Sequence, residues 1–181
     1  RNCRLDQLST DLKTGKLPNY SHIILNQCNE MHGLQECPND EKLIQRGDAA
    51  IGQLVDRITS ATVWSAAENS AIVVTFDEDN YYLFDHPEEQ GCCGTDPKSE
   101  THYGGGHIAT IVITNHGPRG LVDATPYNHY SLLRTTENAF GIDEYLNMAG
   151  ATDQGVQAMT KLFAVPITPV NPIGSTVSNA N

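Results

Sequence analysis

The residues best suited to chemistry form one short run, Asp77-Glu78-Asp79-Asn80, placed directly after the apolar stretch Ala71-Ile72-Val73-Val74-Thr75-Phe76. Four consecutive oxygen-bearing side chains are a donor set for a hard cation. An ion held there would anchor a phosphate and stabilise charge on its oxygens during displacement. Taken alone, the run is also what a solvated acidic turn looks like. A second polar run, Asn26-Gln27-Cys28-Asn29-Glu30-Met31-His32-Gly33, follows the apolar triplet Ile23-Ile24-Leu25 and presents His32 beside Asn and Glu. If the two apolar runs are neighbouring strands, their ends converge and His32 meets Asp77 and Glu78. Otherwise His32 is a surface or hydrogen-bonding histidine, the commoner fate of a lone loop histidine. Near Gly104-Gly105-Gly106, His102 and His107 are as readily solvent-exposed as ligating. The glycines themselves read as a lead into the next strand, because no helix N-terminus follows to cradle a phosphate. His129 stands in the polar first turn of a helix whose positive end suits an anion, and its role stays open, while Arg134 reads as a structural hydrogen-bonder.

The elements that must position these residues follow from periodicity. Leu5, Leu8 and Leu12 recur at helical spacing, with Gly15 and Pro18 as the stop, so residues 4–14 read as a short amphipathic helix. Ile23 to Leu25 reads as a short buried strand. Leu43, Ile44, Gly47, Ile51, Leu54, Val55 and Ile58 make one stripe of period near 3.6, a helix capped by Asn39 or Asp40. Residues 71–76 and 108–114 are β-branched and apolar without alternation, the pattern of strands buried on both faces in a parallel sheet. Between them, residues 77–106 are too long for an ordinary connection and read as an active-site lid or rim. Thr125-Pro126 opens a helix with proline at its first position, Gly141 closes it, and a last short helix is expected over Val156 to Phe163. The order predicts an α/β layered fold with a mainly parallel sheet. Residues 1–164 form its domain, and 165–181, rich in Pro, Asn and Ser, form an extended tail or linker.

Composition narrows the function classes. With 39% hydrophobic residues the chain can bury a core, and 22 acidic against 11 basic side chains leave a net charge of −11. That excess repels nucleic acid and anionic membranes at long range, so nucleic acid is not an expected partner. No apolar run approaches the roughly 20 residues of a membrane span, and the start, Arg1-Asn2-Cys3, resembles no signal peptide; lacking Met, it reads as a processed product or a fragment. Five cysteines occur without CxxC pairs. Cys28 and Cys37 flank a short polar loop that a disulfide would close, which suits a secreted or periplasmic setting; the alternative is five reduced thiols. Cys92 and Cys93 are adjacent and unsuited to pair with each other, so at least one should reach Cys3 or a cysteine upstream of this chain. Asn19-Tyr20-Ser21 is a glycosylation sequon, meaningful only in a eukaryotic secretory source.

Four stretches together carry a resemblance: Asn26 to Gly33, Gly47-Asp48-Ala49 with Trp64, Val73 to Glu78, and Tyr127 to Gly141. In this order, over roughly residues 17–165, the chain resembles the phosphoesterase family of bacterial acid phosphatases and non-haemolytic phospholipases C, within the alkaline phosphatase superfamily. The resemblance implies the C-terminal half of an alkaline-phosphatase-like fold. It matches Asp77 and Glu78 to the paired acids that bind the active-site metal, and His32 to a histidine lining the same pocket. The family's remaining ligands, an acidic residue and Asn, and its Ser or Thr nucleophile lie upstream of the matched region. The N-terminal half of the same parent protein is therefore the partner implied. The mechanism implied is attack by that hydroxyl on phosphorus, a covalent phospho-enzyme, and hydrolysis by water. Asp79-Asn80-Tyr81-Tyr82 and the Cys92-Cys93 pair replace the glycine-rich turn of many relatives, a difference that bears on pocket access.

The expectation is a divalent-metal-dependent hydrolase of phosphate mono- or diesters, this chain supplying the metal and histidine side of the site. Carboxylate and amide ligands suit Ca, Mg or Mn, whereas a histidine ligand suits Zn or Fe. The alternative from another class is a non-catalytic binding or structural module derived from the same fold. A sulfatase-like hydrolase shares the metal logic without separate support. The sequence upstream of Arg1 discriminates enzyme from module: a Glu-Asn pair and a Ser or Thr after a strand favour the enzyme.

Overall fold

The computed structural model describes residues 4–37, 42–78 and 107–163. The chain divides into two compact units, Arg1–Ser70 and Ala71–Asn181. The first unit is helical. Helix α1 (Asp6–Thr14) buries Leu12 and carries Asp6 in its first turn and Lys13 in its last, each opposite in sign to the helix end it neighbours. It stops where Gly15 turns left-handed at φ 67° and donates its N–H to the Asp11 carbonyl. Helix α2 (Leu43–Thr59) follows the predicted stripe. The caps expected at Asn39 or Asp40 lie outside the described residues, and Lys42 occupies the N-cap position without a side-chain bond. The short helix α3 (Thr62–Ala66), which includes Trp64, packs on α1 and α2.

Ile23 to Leu25 is not a strand. Ile24 is 78% exposed, and three apolar residues gain little as a strand without a neighbour to complete their hydrogen bonds. Among the described residues the sheet has two strands, β1 (Ala71–Thr75) and β2 (Thr110–Thr114), in the second unit. They pair antiparallel, with Ala71 opposite Thr114 and Thr75 opposite Thr110, and the two threonine hydroxyls lie 2.8 Å apart at that end. This corrects the expectation of parallel pairing for these strands. A non-alternating apolar run specifies a strand, not its direction. Both strands also leave residues exposed, Ala71 on one and Thr110 and Ile111 on the other, as antiparallel sheets tolerate. The described fold is thus mixed helix with a small antiparallel sheet.

Helix α4 (His129–Ala139) begins later than Pro126, because Asn128 is the N-cap. Its side chain accepts the Ser131 N–H at 3.0 Å, and the Ser131 hydroxyl accepts the Asn128 N–H at 3.3 Å, a reciprocal capping box. The far end closes as expected at Gly141, φ 68°, whose N–H reaches the Asn138 carbonyl while Ile142 N–H reaches that of Glu137. Side chains of α4 then hold the chain beyond it. Arg134 donates to the Ala149 carbonyl at 2.8 Å and lies over the Tyr145 ring, the structural role expected of it. Buried Glu137 accepts the Leu146 N–H at 3.0 Å, and the buried Thr135 hydroxyl accepts the Met159 N–H at 2.8 Å. That last bond, with Gly155 left-handed at φ 83°, explains why 156–163 is not the expected helix. Its backbone donor is taken by a side chain, and only 3₁₀ turns form, Thr152–Gln154 before it and Thr160–Leu162 within it. The tail read from 165 lies outside the described residues.

Candidate functional site

His32 sits in the first unit, exposed, on a loop of residues 26–37 that is held from several directions. Cys28 and Cys37 form the expected disulfide, with Cα atoms 5.4 Å apart. Inside the loop, Asn29 N–H donates to the Asn26 carbonyl at 2.7 Å, Gly33 N–H to Gln27 at 2.8 Å, and His32 N–H to the Glu30 carboxylate at 3.0 Å. Arg46 of α2 donates to the Cys28 carbonyl at 3.3 Å. The loop packs closely onto α2 because Gly47 has no side chain. A Cβ there would run into the Met31 side chain and stand 3.3 Å from the Asn29 carbonyl. Gly47, read in sequence as part of the helical stripe and of a matched stretch, is therefore the seat of the His32 loop. Met31 itself holds a left-handed φ of 78°, uncommon for a side chain of this size.

Asp77 and Glu78 sit in the second unit, two and three residues past the end of β1, with Asp77 exposed and Glu78 half-buried. Glu78 N–H donates to Asp77 Oδ1 at 3.1 Å, tying the two residues together as the chain leaves the strand. The first residue of α4 comes to the same place: His129 Nε2 is 2.7 Å from the Asp77 carbonyl oxygen. The structure thus brings together the acidic pair and a histidine whose role the sequence left open. Asp79, Asn80, His102 and the 104–106 glycines lie outside the described residues, as do Cys3, Cys92 and Cys93; His107 is exposed.

The approach to α4 is built on Asp123, which sequence reading passed over. One carboxylate oxygen accepts the Thr125 N–H at 3.1 Å and the Thr125 hydroxyl at 2.7 Å; the other accepts the Tyr127 hydroxyl at 2.9 Å. Lys161 lies 3.6 Å away and also donates to the Thr125 hydroxyl. The Thr125 hydroxyl and N–H, with help from Tyr127 and Lys161, hold the Asp123 carboxyl at a pKa of about 2. Burial, then the Asp123 carboxylate, push the Tyr127 phenol above its ordinary value. The available signal was local: Asp two residues before Thr, with Pro next, is an Asx-turn pattern.

As donors, the Asp77 and Glu78 carboxylates are hard oxygens of the kind Ca, Mg or Mn takes. A calcium or magnesium shell needs about six such ligands, so the pair would fill part of one. Among the described residues no three His, Cys, Asp or Glu side chains gather as a ready ligand set. No helix among them is long and apolar enough to cross a membrane. Compared with protein families, residues 1–143 match the model of the Phosphoesterase family, a span that includes His32, Asp77, Glu78 and His129. Searches of curated proteins and of solved structures found no match.

Proposed function

The chain belongs to the phosphoesterase family, whose membership suggests hydrolysis of phosphate esters, and from that premise we propose that it serves a metal-dependent hydrolase of acid phosphatase or phospholipase C type. Asp77 and Glu78 would hold a divalent cation, which when bound supplies Lewis-acid stabilisation of charge on a phosphate oxygen. His32 is carried from the family resemblance alone, as an imidazole that would hydrogen-bond a phosphate oxygen. The attacking hydroxyl and the remaining ligands are assigned to the N-terminal half of the parent protein. The disulfide supports a secreted or periplasmic setting.

The observation that carries this reading is the acidic pair just past the carboxyl end of a strand, with the first turn of a capped helix bonded to it through His129. Its test is hydrolysis of a chromogenic phosphomonoester and of a phosphocholine ester by the parent protein, with and without chelator. Turnover should vanish on chelation and return with one divalent metal. Asp77→Asn should lower it by roughly two orders of magnitude or more with the fold intact. The isolated 181-residue chain, refolded with metal, should turn over little of either ester. Robust chelator-sensitive turnover by that chain would show that a nucleophile lies within it. A parent protein that neither binds metal nor turns over would stand instead as a non-catalytic module.

A further inference from the structure

We propose that His129 is a positioning residue for the acidic pair, anchored in turn by Asp123; the inference rests on the reading of Asp77 and Glu78 as cation ligands. A carbonyl oxygen can only accept, so His129 Nε2 must carry a proton to bond the Asp77 carbonyl at 2.7 Å. Neutral imidazole with its proton on Nε2 does this, and so does imidazolium, whereas the Nδ1–H tautomer cannot. The bond therefore survives a change of charge on the ring. It fixes the main chain at Asp77, and the same residue's carboxylate accepts the Glu78 N–H at 3.1 Å. That stretch of main chain sets where both side chains begin, and the Glu78 N–H holds the Asp77 carboxylate to it.

His129 is exposed, so burial does not hold it in place. What does is the start of α4. Asn128 and Ser131 cap the helix reciprocally, and the turn before it is tied by Asp123 to Thr125, Tyr127 and Lys161. A continuous line of contacts thus runs within one unit from Lys161 through Asp123 and the helix cap to the Asp77 carbonyl. The competing role for His129 is direct ligation through Nδ1. A ligating histidine commonly gives its other N–H to a carbonyl, so the observed bond alone suits both roles.

The two roles separate by substitution. Gln at 129 keeps a donor near the place of Nε2 but offers nothing at Nδ1; Ala removes both. In the parent protein the readouts are Mn²⁺ affinity by calorimetry and, without metal, hydrogen exchange of the Glu78 amide. His129→Ala should weaken Mn²⁺ binding about tenfold, the size usual for residues that orient a ligand, and speed that exchange. His129→Gln should restore both to near the wild-type values, and Asp123→Asn should move both in the direction of the alanine variant while circular dichroism stays unchanged. Histidine ¹⁵N spectra should show a protonated Nε2. If His129→Gln binds Mn²⁺ as poorly as His129→Ala, His129 is a ligand and the proposal falls. It falls too if His129→Ala leaves exchange unchanged. Should the wild type bind no Mn²⁺ while Asp77→Asn changes nothing, the metal reading fails, and the exchange comparison still decides whether His129 holds the main chain.

Discussion

Removing the Cys28 to Cys37 cross-link should lower the stability of the first unit by an amount its loop length sets. The disulfide joins residues separated by nine positions. Restricting the unfolded chain over a loop of that size contributes about 2.6 kcal/mol at 25 °C, from roughly 2.1 + 1.5R ln n cal/mol/K with n near 9. The other ties of the loop remain in the variant: the bond from Arg46 to the Cys28 carbonyl, the Asn26 to Asn29 turn and the Gly47 contact. The loss should therefore fall on the global unfolding equilibrium, with the loop still closed around His32 in the native state. Replacing both cysteines by serine and following urea unfolding by far-ultraviolet circular dichroism should show a lower midpoint with an unchanged or larger slope. Cys37 is buried, so its serine hydroxyl adds a desolvation cost, and the alanine pair is the cleaner measurement. A loss below about 0.5 kcal/mol in both pairs would refute the argument, because chain entropy would then be offset by structure that persists in the unfolded state.

Two smaller predictions test other particulars. Gly47→Ala and Gly52→Ala place the same methyl on α2, but a Cβ at 52 meets nothing within 4 Å whereas one at 47 meets Met31 and the Asn29 carbonyl. Thermal unfolding should find Gly52→Ala stabilising by up to about 1 kcal/mol and Gly47→Ala losing that gain to crowding. Asp123 has its pKa lowered from 3.8 to about 2, so its contribution is complete above the unfolded value and is lost as pH falls toward the folded one. Melting temperatures between pH 5 and pH 2 should accordingly fall further for the wild type than for Asp123→Asn.

Local signals were legible and connectivity was not. The leucine spacing before Gly15 and the stripe from Leu43 to Ile58 became α1, which starts two residues later than expected, and α2, because each helix is specified by its own period. The β-branched runs became β1 and β2, yet their antiparallel pairing depends on chain path, which no single run encodes. Pro126 was a weaker start signal than Asn128 with Ser131 three residues on, a pattern the sequence displays and the structure uses. The helix expected from Val156 failed for a non-local reason: the Thr135 hydroxyl, 24 residues earlier, takes the Met159 N–H. Of the site, the Asp77 and Glu78 placement after a strand was readable. The approach of His129 was not, since it joins residues 52 positions apart through a backbone atom that carries no sequence signature.

Charge sets the order in which the proposed site would fill. A phosphate ester approaching Asp77 and Glu78 meets two carboxylates on a chain of net charge −11, and Arg134, the nearest fixed cation in sequence to His129, is already committed to Ala149 and Tyr145. The partial positive charge at the start of α4 amounts to about half an elementary charge and falls off within a turn, too little to reverse two carboxylates. At physiological ionic strength screening acts over about 8 Å, so repulsion from the distant acids is muted while that from Asp77 and Glu78 is felt in full at contact distance. On the proposed reading the cation must therefore precede the ester, because the pair attracts the one and repels the other until the first has bound. The same argument explains why positioning matters here. On that reading two carboxylates that share one cation, rather than splay apart by mutual repulsion, need their main chain fixed beforehand, and the His129 bond to the Asp77 carbonyl would supply that constraint without adding a negative charge.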